Sequence, residues 1–146
     1  MKKFARILAL IMALTMVCVT FAACGDKSAA IKKAFEKEEW DVKSVKADSD
    51  EAEAVFTLMG MDEEQIEKAK DYEIISVSTG KLLSYKSALI IKCSSAKDVK
   101  DFFTVEDKDG KKDTSAYDEA KEEGFINGNC IILTLSDDAV EIFKNA

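Results

Sequence analysis

One long apolar run opens the chain, and short alternating patterns follow it. Ile7 to Ala23 carries no charged side chain, and Lys2, Lys3 and Arg6 stand in front of it. Further on, Ile31, Ala34 and Phe35 share one face of a predicted helix. Trp40 to Val45 reads as a strand. A second helix starts at Asp48 or Ser49, where Ala52, Val55, Phe56 and Met59 keep the i, i+3, i+4, i+7 spacing and Gly60 follows the end. Asp62 with Gln65 three residues on starts a further short helix as a capping box. Tyr72 to Ser78 and Tyr85 to Cys93 are strands, with turn chemistry at Thr79-Gly80 between them. Ser95 and Asp98 begin a helix that buries Val99, Phe102 and Phe103. The polar run Glu106 to Asp113 reads as a loop, and a weaker helix covers Ser115 to Glu123. Phe125-Ile126 and Asn129 to Leu135 flank a hairpin turn at Asn127-Gly128. Ser136, with Asp137 and Asp138 in the first turn, starts a last helix buried through Val140 and Phe143.

The strands fall in hairpin-like pairs with helices between the pairs. That order predicts an α+β domain: an antiparallel or mixed sheet with helices packed on one face. A ferredoxin-like arrangement with additional terminal helices is the nearest simple topology. The chain has no proline, and no internal repeat is visible.

A basic start, an apolar run and small residues before a possible cleavage point are the parts of an export signal. Phe21-Ala22-Ala23-Cys24 resembles a bacterial lipoprotein signal. The resemblance implies that Cys24 is lipidated and becomes the first mature residue, with a diacylglycerol holding it to the cell membrane on the extracytoplasmic face. Residues 1–23 are then a cleaved signal peptide, 24–28 a short lipidated tether and 29–146 a single α+β domain. Two other readings compete. An uncleaved transmembrane anchor wants about 18–20 apolar residues, slightly more than this run holds. A plain secretory peptide could be cleaved after Ala22. Phe56 to Phe143 also resembles the small uncharacterised lipoproteins of Gram-positive, clostridial-type anaerobes. The likeness lies in Met59-Gly60-Met61-Asp62, in Ser87 to Lys92 before a helix, and in Gly128 to Leu133 before the last helix. That group has no assigned activity, so the likeness carries over no functional residue.

Cleavage removes Lys2, Lys3 and Arg6 but no acid, leaving 18 basic against 28 acidic side chains and a formal charge of −10. Nucleic acid, which wants clustered Lys and Arg, is excluded as a partner. An anionic membrane surface repels such a domain, so the lipid would hold it there. Of the four cysteines, Cys18 leaves with the signal and Cys24 is the lipid acceptor. An exported pair, Cys93 and Cys130, suggests a disulfide. Strand phase argues otherwise. Cys93 shares a face with Leu89 and Ile91, whereas Cys130 lies opposite the more apolar face of Ile131, Leu133 and Leu135.

The absence of histidine removes Ser-His-Asp and Cys-His catalysis and the commonest transition-metal ligand. Cys93 and Cys130 lack zinc-site spacing. Gly80-Lys81 is followed by Leu82 where a P-loop needs Ser or Thr, so it reads as a turn. Asp107-Lys108-Asp109-Gly110 fits a calcium loop poorly, with Val105 and Ala116 at two main ligand positions. Neither a metal nor a cofactor is expected. Glu36-Glu38-Glu39 and Glu119-Glu122-Glu123 read as exposed acidic helix ends. Trp40 reads as core. Leu82, Leu83 and Tyr85 are large for a turn region and form the expected binding edge.

The chain thus reads as a non-enzymatic binding module for a protein or small ligand at the cell envelope. A structural or assembly accessory of an envelope complex is the alternative, and a carboxylate-dependent enzyme is a distant third. Cys24→Ala should remove the acceptor thiol and leave the precursor or a soluble form. An unmodified Ala23 or Cys24 terminus in the mass spectrum of the wild-type protein would refute the lipoprotein reading.

Overall fold

The computed structural model describes residues 26–80 and 85–146. The elements run α1 (Ser28–Lys37), β1 (Asp41–Val45), α2 (Asp50–Leu58), α3 (Glu63–Ala69), β2 (Glu73–Ser78), β3 (Ser87–Lys92), α4 (Ala96–Phe103), β4 (Val105–Glu106), β5 (Lys112–Asp113), α5 (Ser115–Glu122), β6 (Ile126–Asn127), β7 (Cys130–Leu133) and α6 (Asp137–Asn145). The fold is α+β. Its main sheet is five-stranded, in the order β1-β2-β3-β7-β6, with every neighbouring pair antiparallel.

Consecutive apolar residues in a strand must bury both of its faces, because side chains alternate sides. β2 carries Ile74-Ile75, β3 carries Leu89-Ile90-Ile91 and β7 carries Ile131-Ile132, all essentially inaccessible to solvent. One face places Ile74, Leu89, Ile91, Cys93 and Ile131 against Phe56 of α2, Ala69 of α3, and Val99 and Phe102 of α4. The other places Ile75, Val77, Ile90, Cys130 and Ile132 against Ile31 and Phe35 of α1, Trp40, and Phe143 of α6. Helices therefore cover both faces, not the single face expected. The ferredoxin-like expectation also fails. α2 and α3 connect β1 to its immediate antiparallel neighbour β2, with no strand inserted between them. Cys93 and Cys130 point into opposite cores, as the strand phase requires, and both thiols are free.

Helix ends follow the local chemistry. The side chains of Ser49, Asp62, Ser95 and Ser136 each accept a backbone N–H three residues on, and the Asp62–Gln65 capping box is complete. On the far side, α1, α2 and α5 all end in the same paired closure. The N–H of Trp40 reaches the carbonyl of Phe35 at 3.0 Å, Met61 reaches Phe56 at 3.0 Å and Phe125 reaches Ala120 at 2.9 Å. Such an end needs a left-handed residue just before the closing one. Gly60 (φ 68°) and Gly124 (φ 85°) supply it in two cases, but Glu39 (φ 61°) does so in α1.

Two local expectations shift. The hairpin turn sits at Gly128-Asn129, one residue later than expected, because Asn127 pairs with Cys130. The run from 106 to 113 closes through the small β4–β5 ladder. A third correction concerns the tether. Residues 26–28 are part of the fold. Asn129, itself buried, accepts the Lys27 N–H through Oδ1 at 3.0 Å and donates to the Cys93 carbonyl at 2.8 Å. Asp26 pairs with Lys92 at 2.8 Å and accepts the Ser28 N–H at 2.9 Å, and Ser28 is buried.

A left-handed non-glycine residue costs about 1–2 kcal/mol, partly offset here by the roughly 0.5–1 kcal/mol of chain entropy a glycine would lose on folding. Glu39→Gly should accordingly stabilise the domain by about 0.5–1 kcal/mol. Urea unfolding followed by Trp40 fluorescence measures it, and a clear loss of stability would show that the Glu39 side chain itself holds the turn.

Candidate functional site

Apolar side chains that the two cores do not reach gather at one end of the sheet. The end is built by the start of β3, the exit of β7 into α6 and the C-terminus of α2. β7 stops at Leu133 because Thr134 leaves the ladder: its Oγ1 donates to the Ser87 carbonyl at 2.9 Å and accepts the Ser136 N–H at 3.0 Å. Leu135 continues the inward phase of Ile131 and Leu133 but lies past the sheet, and it is 75% exposed. Leu58 lies two residues beyond buried Phe56, on the outer side of α2, and is 66% exposed. Tyr85 precedes β3 and is 67% exposed.

Leu58, Tyr85 and Leu135 line one groove of about 470 Å³, with Val55, Met59 and Leu133 also in its wall. Of the large apolar side chains left exposed among the described residues, only Val105 lies elsewhere. Asp137 and Asp138 form the groove's acidic rim at the start of α6. Lys86 pairs with Asp138, and this ion pair also borders a second hollow of about 670 Å³ between the C-terminal part of α1 and one side of α6. Trp40 and Ile142 lie in the wall of that hollow, with Glu39, Lys37 and Glu141 around them. Trp40 itself belongs to the core, only 7% exposed and edge-on to Phe35 at 5.2 Å between ring centroids.

Of the expected binding edge, Tyr85 lies in the groove wall, while Leu82 and Leu83 lie outside the described residues, as does Cys24. Leu58 and Leu135 were missed. Leu58 was legible as a leucine off the buried stripe of its helix. Leu135 was legible as an apolar residue adjoining the Ser136 cap, where a strand has already ended.

The other chemical candidates have structural work. Burial pushes both thiols up to about 12, with the Asp98 carboxylate adding to the effect at Cys93 and that of Asp26 at Cys130. Neither is an available thiolate at neutral pH. Asp107 Oδ1 accepts the N–H groups of Asp109 at 2.9 Å and Lys111 at 2.8 Å, which closes a turn. Glu36, Glu38, Glu39, Glu119, Glu122 and Glu123 are exposed. Among the described residues no group of His, Cys, Asp or Glu side chains is placed to hold a metal ion, and no helix is long and apolar enough to cross a membrane.

The shifted carboxylates all move down. The Ser76 hydroxyl, donating at 2.6 Å, is the main cause at Glu51; partial burial opposes it and Lys43 assists. At Glu73 the Lys32 hydrogen bond leads, against burial and with Ser44 and Lys92 assisting. At Asp26 partial burial pushes up, but hydrogen bonds from Lys92 and Ser28 together outweigh it and hold the group well below the usual carboxylate range.

Comparison with protein-family models, curated proteins and solved structures yields no match.

Exposed leucines contribute little to folding. Leu58→Ser and Leu135→Ser should each change unfolding free energy by less than about 0.5 kcal/mol, whereas Phe56→Ala should cost about 3–5 kcal/mol. A multi-kcal loss from either leucine variant would return it to the core and remove the groove as a surface.

Proposed function

We propose that this chain is a lipid-anchored envelope protein, held to the extracytoplasmic face of the cell membrane through Cys24, whose domain docks a partner protein and performs no catalysis. The observation that carries the docking part is the convergence of Leu58, Tyr85 and Leu135 on one groove. Scattered single apolar residues on a surface need no explanation, but a contiguous set marks a contact site. The lipid anchor is supported by the order of charges, apolar residues and Ala22-Ala23-Cys24 at the N-terminus.

The partner's chemistry follows from the rim. Asp137 and Asp138 border the groove, Asp138 already paired with Lys86 and Asp137 exposed, and the mature chain carries an excess of acidic side chains. A segment with apolar anchors flanked by Lys or Arg complements both features. The non-enzymatic part is supported by the carboxylates. Proton transfer near neutral pH wants a carboxylate raised by burial, and Asp26, Glu51 and Glu73 are shifted the other way, each with a basic partner.

A photo-crosslinking residue at Leu135, compared with one at Lys33 on the exposed side of α1, tests this in intact cells. The expected result is one adduct specific to position 135. With that partner purified, Tyr85→Ala and Leu135→Asp should each weaken binding at least about ten-fold, a loss of about 1.4 kcal/mol, and added salt should weaken it further. Equal adducts from both positions, or unchanged affinity in both variants, would overturn the docking surface. An adduct between two copies of this chain would make the groove a self-association face instead.

A further inference from the structure

We infer that Asn127 is a site of spontaneous deamidation, that the docked end of α6 keeps it silent, and that its conversion releases that end for good. The inference needs neither the lipid nor the docking surface.

Asn127 is the only one of the three asparagines that is followed by glycine. Glycine has no side chain to shield its backbone nitrogen, so that nitrogen can approach the preceding side chain closely. The fold requires both members of this pair. Gly128 lies at φ 61°, and a β-carbon there would sit 2.5 Å from Lys27 Cγ. Conformation and space both oppose a larger residue. Asn127 is needed as a donor, because the last carbonyls of a helix have no partner within it. Its Nδ2 donates to the Phe143 carbonyl at 2.7 Å and lies 3.5 Å from that of Ala146. The β6–β7 hairpin is thereby tied to the last turn of α6, whose Phe143 ring is fully buried.

The chemistry needs only water. The Gly128 nitrogen gives its proton to solvent base and attacks Asn127 Cγ. A C–N bond forms, the Cγ–Nδ2 bond breaks, and Nδ2 leaves as ammonia. Water then adds to one or other carbonyl of the cyclic imide and opens it, leaving an aspartyl or an isoaspartyl residue at position 127. Nothing is oxidised or reduced: an amide and water become an acid and ammonia.

Two features hold the folded chain back. Ring closure brings Cγ and the Gly128 nitrogen to the same side of the Asn127 Cα–C bond, nearly eclipsed. Asn127 is instead an extended strand residue paired with Cys130. Its amide must also let go of the Phe143 carbonyl before the side chain can turn. Reaction therefore waits on local opening at the end of α6, a smaller motion than global unfolding. Conversion then closes the way back. An ionised carboxylate at position 127 has no proton to donate and sets its charge against the carbonyl oxygens of Phe143 and Ala146. The isoaspartyl form also adds a carbon to the backbone of a strand two residues long, which disturbs its register with β7.

The full-length protein in detergent, held at mildly alkaline pH in buffer or in unfolding urea, provides the test. Peptide mapping separates the Asn, Asp and isoAsp forms. In urea Asn127 should convert far faster than Asn129 or Asn145. In buffer it should convert at least about ten-fold more slowly than in urea, the factor that an opening cost of about 1.4 kcal/mol gives. Lys144→Gly weakens the last turn of α6 at an exposed position and should speed conversion in buffer several-fold, with little change in urea. Asn127→Asp should lower the urea midpoint of unfolding more than Asn127→Ala, which loses the donor without adding a charge. Equal rates at Asn127 in buffer and in urea, or a rate in Lys144→Gly no faster than in the wild type, would show that α6 does not guard the site. Conversion in urea no faster at Asn127 than at Asn129 would remove the site itself. A wild-type midpoint in Asn127→Asp would show that conversion releases nothing.

Discussion

Every feature of this fold depends on the requirement that three adjacent strands bury both of their faces. Ile74-Ile75, Leu89-Ile90-Ile91 and Ile131-Ile132 cannot be satisfied by one layer of helices, since half of them point the other way. Burying one such side chain contributes about 1.5–3 kcal/mol, while a partly exposed ion pair contributes about 1 kcal/mol at most. The sheet therefore dictates where the helices go, and the charges arrange themselves at its margins. α1 and α6 are pressed together on one face, which brings the beginning of the described chain and its C-terminus to the same end of the sheet. Asn127 records this closeness by donating to the carbonyl of Phe143 at 2.7 Å.

The two ends of the sheet differ in kind as a result. At one, backbone groups and charges are paired in a continuous set: Lys32, Glu73, Lys92, Asp26 and the amide of Asn129. None of these pairs is strong alone, but they share partners and hold three elements at once. At the other end the strands simply stop, and apolar side chains remain beyond them. Nothing in the packing requires Leu58, Tyr85 and Leu135 to be apolar, because the cores beneath are already filled by Phe56 and Leu133. A polar residue at each position would serve folding equally well. The fold explains why these positions are exposed, not why they carry leucine and tyrosine.

The periods of the pattern made most elements legible. Helix starts were written in Ser49, Asp62, Ser95 and Ser136, and two of three left-handed helix ends were written in Gly60 and Gly124. The third was hidden because glutamate at position 39 gives no such signal. The layering was misread for a different reason. Alternation was assumed for strands whose apolar residues are in fact consecutive, and consecutive apolar residues are the mark of burial on both faces. The antiparallel pairing survived because it depends on turns. The hold on residues 26–28 was not legible, since it depends on Asn129 being buried more than a hundred positions away. The groove was half legible: Tyr85 was found from its place beside a turn, while Leu58 and Leu135 come to it only through the packing of α2 and the exit of β7.

The groove and the paired residues around Asp26 lie at opposite ends of the same strands, since β3 runs from Ser87 beside the groove to Lys92, which pairs with Asp26. A contact made at the groove therefore leaves that paired set in place, and it asks little of the core beneath, which Phe56 and Leu133 already fill. The rim of the groove is mixed in charge: Asp138 is paired with Lys86, and Asp137 stands exposed beside them. A basic group on a partner would meet Asp137 without breaking a buried pair, so charge would set the register of such a contact more than its strength.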